Sequence, residues 1–284
     1  MHFTTRHGLR LAADVAGDAH NPPVLFFHGG GQTRHSWGKA VTTLADQGYC
    51  AYTIDMRGHG DSDWAPNGDY SIETLAQDLV DVGAAVQRAD TALPAFVGAS
   101  MGGMAALAAL GTSPIPMASA LVLVDVVPRM EAEGAYEIHS FMTSHPQGFE
   151  TLEQVADVVA AYQPHRKRKA NPQGLLKNLR WREGRYYWHW DPKLMQRDMK
   201  KDLSKGREHL DEAARNIKVP TLLIRGALSR VVSMAGVAAL QRDMPHAEFV
   251  NIADADHMVA GDANDDFNAP LIEFLNRTIK PAQA

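Results

Sequence analysis

Short runs of apolar residues alternate with stretches of helical spacing along most of this chain. The runs at 24–28, 50–55, 93–99, 120–124, 221–225 and 248–252 are dominated by Val, Ile, Leu, Phe and Ala, as strands covered on both faces must be. Between them, 36–47, 71–88, 101–110, 233–242 and 266–279 repeat apolar positions every three to four residues and predict helices. Residues 4–15 predict a hairpin around His7-Gly8 that opens the sheet. Strands alternating with helices predict an α/β domain, a mostly parallel sheet with helices on both sides. Gly and Pro punctuate the loops, and neither an internal repeat nor a low-complexity tract interrupts the pattern.

The alternation stops after Pro128 and resumes near Asn216. That stretch reads as helical and irregular, with no sheet strand, and it is rich in charge and aromatics: Glu150 to Tyr162, His165-Arg166-Lys167-Arg168-Lys169, and Trp181 to Trp190. An insertion at the C-terminal end of a strand lies over the edge where α/β sheets bind ligands, so it is expected to form a helical cap. The expected division is a core at 1–128 and 217–284 with a cap at 129–216. The basic run fits exposed charge on a cap helix. Trp188 and its aromatic neighbours are candidates for an apolar substrate lining, with packing inside the cap as the other reading.

Composition narrows the function. A net charge of −5 over 284 residues argues against a nucleic-acid footprint, which needs clustered positive charge. The N-terminus lacks the apolar core of a secretory signal, and no run is long enough to span a bilayer, so a cytoplasmic protein with no membrane partner is expected. The single cysteine, Cys50, excludes an intramolecular disulfide and reads as a buried structural thiol. No His-Glu-x-x-His, paired-cysteine, dinucleotide or Walker spacing occurs, so neither a metal nor a cofactor is expected. Oligomeric state is not readable.

The chemistry concentrates after the predicted strands. Gly98-Ala99-Ser100-Met101-Gly102 follows an apolar run and enters an alanine-rich helical stretch. A Gly-x-Ser-x-Gly pentapeptide alone also fits a surface turn; between a strand and a helix it forms a bend that exposes the serine hydroxyl. Ser100 is therefore a candidate nucleophile. Phe27-His28-Gly29-Gly30-Gly31 ends another strand, and its glycines let backbone N–H groups turn into a cavity, so the amides of Gly30 and Met101 are a candidate oxyanion hole. His257, just past the last strand, is a candidate general base, because a serine hydroxyl is a weak nucleophile until an imidazole takes its proton. In Asp55-Met56-Arg57-Gly58-His59-Gly60-Asp61-Ser62, an Asp55–Arg57 ion pair is expected to brace the loops around the site.

With these motifs the chain resembles the α/β-hydrolase superfamily, in its cofactor-free serine esterase and haloperoxidase-like branch. The resemblance rests on His28-Gly29-Gly30-Gly31 with Trp37 downstream, on the 55–62 segment, on Gly98 to Gly103 and on Asp256-His257-Met258-Val259. It implies an eight-stranded core sheet, a Ser-Asp/Glu-His triad and hydrolysis of esters or lactones; Trp37 and Trp188 are the candidate substrate contacts. The family's acid follows the strand before the last, where this chain places Arg230, a donor-only group that opposes a charged imidazole. Some members carry the acid one strand earlier, which points here to Asp125, with Asp254, Asp256 or no acid as alternatives. The expected activity is a serine hydrolase acting on a small-molecule ester or lactone through an acyl-enzyme. Thioester cleavage or perhydrolysis at the same serine is one alternative. A ligand-binding protein whose catalysis has faded is the other.

Overall fold

The computed structural model describes residues 1–88, 92–162, 171–196, 199–257 and 265–279, without the side chains of 199–207 and 265; the basic run at 165–169 lies outside these described residues. The strands in chain order are β1 (His2–Thr4), β2 (Arg10–Ala16), β3 (Pro23–Phe27), β4 (Cys50–Ile54), β5 (Ala95–Ala99), β6 (Ala120–Val124), β7 (Leu179–Arg182), β8 (Arg185–Trp188), β9 (Thr221–Gly226) and β10 (Glu248–Ile252). The helices are α1 (Gly38–Asp46), α2 (Ile72–Val86), α3 (Met101–Thr112), α4 (Ala132–Thr143), α5 (Leu152–Tyr162), α6 (Met199–Asn216), α7 (Met234–Asp243) and α8 (Asp265–Thr278).

Eight strands form one sheet in the order β1-β2-β4-β3-β5-β6-β9-β10. The first two pairings are antiparallel and the rest parallel. Every residue of β3, β5, β6 and β9 is buried, because separate helical layers cover the two faces. On one face Trp37, just before α1, joins Leu44 of α1 and Phe267, Leu271 and Phe274 of α8 against Phe26, Val97, Val122 and Ile224. On the other, Leu75 and Leu79 of α2, Ala105 and Ala106 of α3, Leu210 and Ala214 of α6 and Val237 and Leu240 of α7 cover Leu25, Phe96, Leu121 and Leu223. Burying each such large side chain contributes about 1.5–3 kcal/mol, so both faces are fixed by alternate residues of the same strands. Cys50 is buried, as its apolar run implied.

The stretch between β6 and β9 departs from expectation in two ways. It contains a strand pair: β7 and β8 are antiparallel, with Arg182 opposite Arg185 and both turn residues in the left-handed region, Glu183 at φ 51° and Gly184 at φ 79°. That turn matches strand twist, and its signal was the aromatic, Arg-rich run interrupted by Glu-Gly. In addition, α6 at the end of this stretch is part of the core. It packs on α3 so closely that a Cβ at Gly111 would sit 2.3 Å from the Ala213 carbonyl oxygen.

Candidate active site

The strand β5 runs into Ser100, whose φ of 44° and ψ of −113° break the extended backbone before α3 begins. A non-glycine residue held there costs on the order of 1–3 kcal/mol and persists only when its neighbours over-determine it. The glycines do so by close approach. A Cβ at Gly98 would lie 2.6 Å from the Gly103 Cα, and one at Gly102 would lie 2.4 Å from the Phe27 carbonyl oxygen. Strand, loop and helix thus touch backbone to backbone.

Alongside, the glycine loop after β3 is pinned by its own hydrogen bonds. The Gly29 N–H donates to Gln32 Oε1 at 2.8 Å and the Gly31 N–H to His59 Nε2 at 3.2 Å. Among the described residues the amides of Gly30 and Met101 have no acceptor. Two unengaged N–H donors flanking a serine are what a developing oxyanion requires.

Three buried histidines that sequence reasoning missed hold this loop. His28 donates from Nδ1 to the Gly29 carbonyl at 2.8 Å and accepts the Met56 N–H at Nε2 at 3.0 Å. His59 donates from Nδ1 to the Arg57 carbonyl at 3.1 Å. His189, from the stretch after β8, accepts the Gly60 N–H at 2.7 Å and donates to the Gly31 carbonyl at 3.3 Å. Each ring is a one-donor, one-acceptor bridge and so neutral. Desolvation lowers His28 to about 4 and His59 to about 3, and it pushes His189 well below the usual imidazole range.

The loop after β4 is braced, but not by the expected pair. Asp55 is paired with Arg34, whose backbone N–H also donates to it at 2.6 Å, while the Arg57 guanidinium forms a buried bidentate pair with Asp78 at 2.5 Å. The two side chains reach partners on different elements, Arg34 before α1 and Asp78 of α2, which a separation of two in sequence does not reveal.

Past β6, the fully buried Asp125 sits at φ 47°. Its Oδ2 accepts from His257 Nδ1 at 2.6 Å and from the Ser229 hydroxyl at 2.5 Å, and its Oδ1 accepts the Gly226 N–H at 3.0 Å. Arg230 is turned away and exposed, paired with Glu133 and Glu137 of α4. In the turn after β9 the residue that faces the histidine's partner is Ser229, one position before the arginine singled out from sequence. Arg230 therefore does not oppose the imidazole.

Ser100, His257 and Gly30 line one cavity of about 310 Å³. Its far wall comes from the inserted stretch: Ile138, Phe141 and Met142 of α4, Tyr162 of α5, and Trp188 with Trp190. The Trp188 and Trp190 rings stack at 4.9 Å and those of Phe141 and Tyr162 at 4.1 Å. The i, i+3, i+4 spacing of Ile138, Phe141 and Met142 was the available signal for that wall. Trp37 is not part of it. It is 1 % exposed, with its ring 5.1 Å from Phe26 and 6.1 Å from Phe267, so it is a core residue of the opposite layer and not a substrate contact. Trp181 is exposed against Tyr186.

The family model of the alpha/beta hydrolase fold matches residues 22–263. The chain belongs to that family. Among its relatives, Esterase Rv0045c of Mycobacterium tuberculosis is 28% identical over 85% of this chain and 78% of its own length. The 2-(acetamidomethylene)succinate hydrolase of Mesorhizobium japonicum is 26% identical over 88% of this chain and 86% of its own. A crystal structure of E-2-(acetamidomethylene)succinate hydrolase superposes with a TM-score of 0.82 at 22% identity, covering 97% of this chain and 99% of that one, a likeness of fold. Family membership and relatives named as hydrolases and esterases support a hydrolase. Among the described residues no helix is long and apolar enough to cross a membrane.

Proposed function

We propose that the protein is a serine hydrolase that cleaves a small carboxylic ester or lactone through an acyl-enzyme, with the segment around α4, α5, β7 and β8 acting as the substrate-selecting cap. The observation that carries this reading is the hydrogen bond between His257 Nδ1 and Asp125 Oδ2 at 2.6 Å, in a cavity shared with Ser100. A carboxylate on Nδ1 fixes the tautomer that leaves Nε2 free to accept a proton and stabilises the imidazolium that results. Ser100 Oγ attacks the carbonyl carbon while His257 Nε2 takes its proton, and the oxyanion is held by the N–H groups of Gly30 and Met101. The imidazolium then protonates the departing alkoxide. Water, activated by the same nitrogen, attacks the acyl-serine and regenerates the hydroxyl. The strained backbone at Ser100 supports the assignment, because such strain collects where the nucleophile must be presented.

The test is covalent labelling with a fluorophosphonate together with Ser100→Ala. The parent chain should label at Ser100 and hydrolyse p-nitrophenyl esters. The variant should fold, fail to label and lose roughly 10⁶ in turnover, as when a triad nucleophile is removed elsewhere. A folded Ser100→Ala that retains turnover would sink the reading.

A further inference from the structure

We propose that Ser229 is a positioning residue for the acid of this site, a role that rests on the hydrolase reading and extends it to a residue outside the triad. Its hydroxyl oxygen accepts the Val231 and Val232 N–H groups, both at 3.2 Å, and lies 2.5 Å from Asp125 Oδ2. A hydroxyl has two acceptor lone pairs and one donor proton. With the lone pairs taken by the two amides, its proton is committed to the carboxylate. Ser229 is buried, and its turn is itself clamped: the Arg225 guanidinium donates to the Val232 carbonyl at 2.6 Å, the Ser229 carbonyl at 3.3 Å and Asn251 Oδ1 at 3.0 Å. The donor is therefore fixed before any substrate arrives.

Asp125 needs that help. Its backbone leaves β6 in the left-handed region, so strand geometry does not aim its side chain. Gly226 N–H holds Oδ1, while Oδ2 is shared by His257 and Ser229. Without Ser229, the partner left to Oδ2 among the described residues is the imidazole it is meant to orient. The residue that fills the turn after β9 thus acts on the same carboxylate oxygen as the base, and its sequence signal was hidden behind the more conspicuous Arg230.

The experiment compares the full-length parent with Ser229→Ala, and with Ser229→Cys as a near-isosteric weak donor should the alanine variant not fold. Active sites are counted by fluorophosphonate titration, turnover is expressed per titrated site, and the His257 Nδ1 proton is followed by its far-downfield NMR resonance. Loss of the donor should lower kcat roughly 10- to 100-fold, the scale of a small misplacement of a reacting group, with KM unchanged and the resonance shifted or broadened. A purely structural role would lower the melting temperature and the titratable fraction, yet leave kcat per site and the resonance as in the parent. That result overturns the proposal. If the parent does not react with the fluorophosphonate, the hydrolase reading fails on its own, and the resonance still decides: a shift in the variant supports positioning by Ser229, and an unmoved signal overturns it.

Discussion

Replacing Asp125 by asparagine keeps the shape of the side chain and removes one acceptor, so the cost can be worked from the three donors that converge on it. If the carbonyl of the new side-chain amide faces His257 and Ser229, its NH₂ confronts the Gly226 N–H, which now donates to Asp125 Oδ1 at 3.0 Å. If the amide flips, Gly226 is satisfied, but the NH₂ faces the Ser229 hydroxyl and His257 Nδ1. The hydroxyl then loses its acceptor, and the imidazole must carry its proton on Nε2, where it cannot take one from Ser100. Either orientation leaves a buried polar group unpaired, worth about 1–3 kcal/mol of stability, and only the second adds a tautomer that is wrong for catalysis. The flipped state should predominate where Gly226, locked in the sheet by the pairing of β9 with β10, cannot move. Turnover should then fall by about 10³–10⁴, or about 4–5.5 kcal/mol of transition-state stabilisation at 1.36 kcal/mol per decade. Turnover of a p-nitrophenyl ester per fluorophosphonate-titrated site measures it, with a thermal melt alongside. A variant within tenfold of the parent refutes the argument and leaves His257 working without a carboxylate.

Trp188→Ala removes a ring that stacks on Trp190 in the cavity wall; kcat/KM for a longer acyl chain relative to acetate should rise about tenfold, and an unchanged chain-length profile counts against the cap as selector. Gly102→Ala drives a Cβ to 2.4 Å from the Phe27 carbonyl oxygen, backbone against which nothing can rotate away, so stability should drop by about 1–3 kcal/mol or more; an unchanged urea midpoint contradicts this. For pH the sign follows from neutral burial: His28 and His59 stay unprotonated in the fold down to about 4 and about 3, whereas the unfolded chain takes up those protons near 6.5. Their stabilisation is complete above that value and declines as pH falls from about 6.5 to about 4, by about 1.4 kcal/mol per pH unit for each ring. A melting temperature that stays flat from pH 6.5 to 4.5 would show that the rings are not buried and neutral.

The alternation of apolar runs with helical spacing was enough to determine the parallel sheet, because strands covered on both faces admit few polar residues and the helices between them must present one apolar stripe each. Local motifs were legible for a similar reason. Gly98, Gly102 and Gly103 stand where backbones meet at distances no Cβ tolerates, and that constraint is written at fixed spacing around Ser100. What the chain alone did not reveal was which side chains meet across long separations. Trp37 follows the glycine loop closely but turns into the layer beneath the sheet, since its neighbours Phe26 and Phe267 lie on that face. Asp55 and Arg57 find Arg34 and Asp78 instead of each other. Arg230 occupies the conspicuous position, while Ser229, one residue earlier, points at Asp125. Neighbouring side chains of a turn point in different directions, and only the packing of β6 beside β9 decides which of the two meets the histidine's partner. The partners of His28, His59 and His189 are backbone groups of the two loops after β3 and β4, and backbone groups carry no sequence signature, so the tertiary structure alone brought those rings together around the glycine loop.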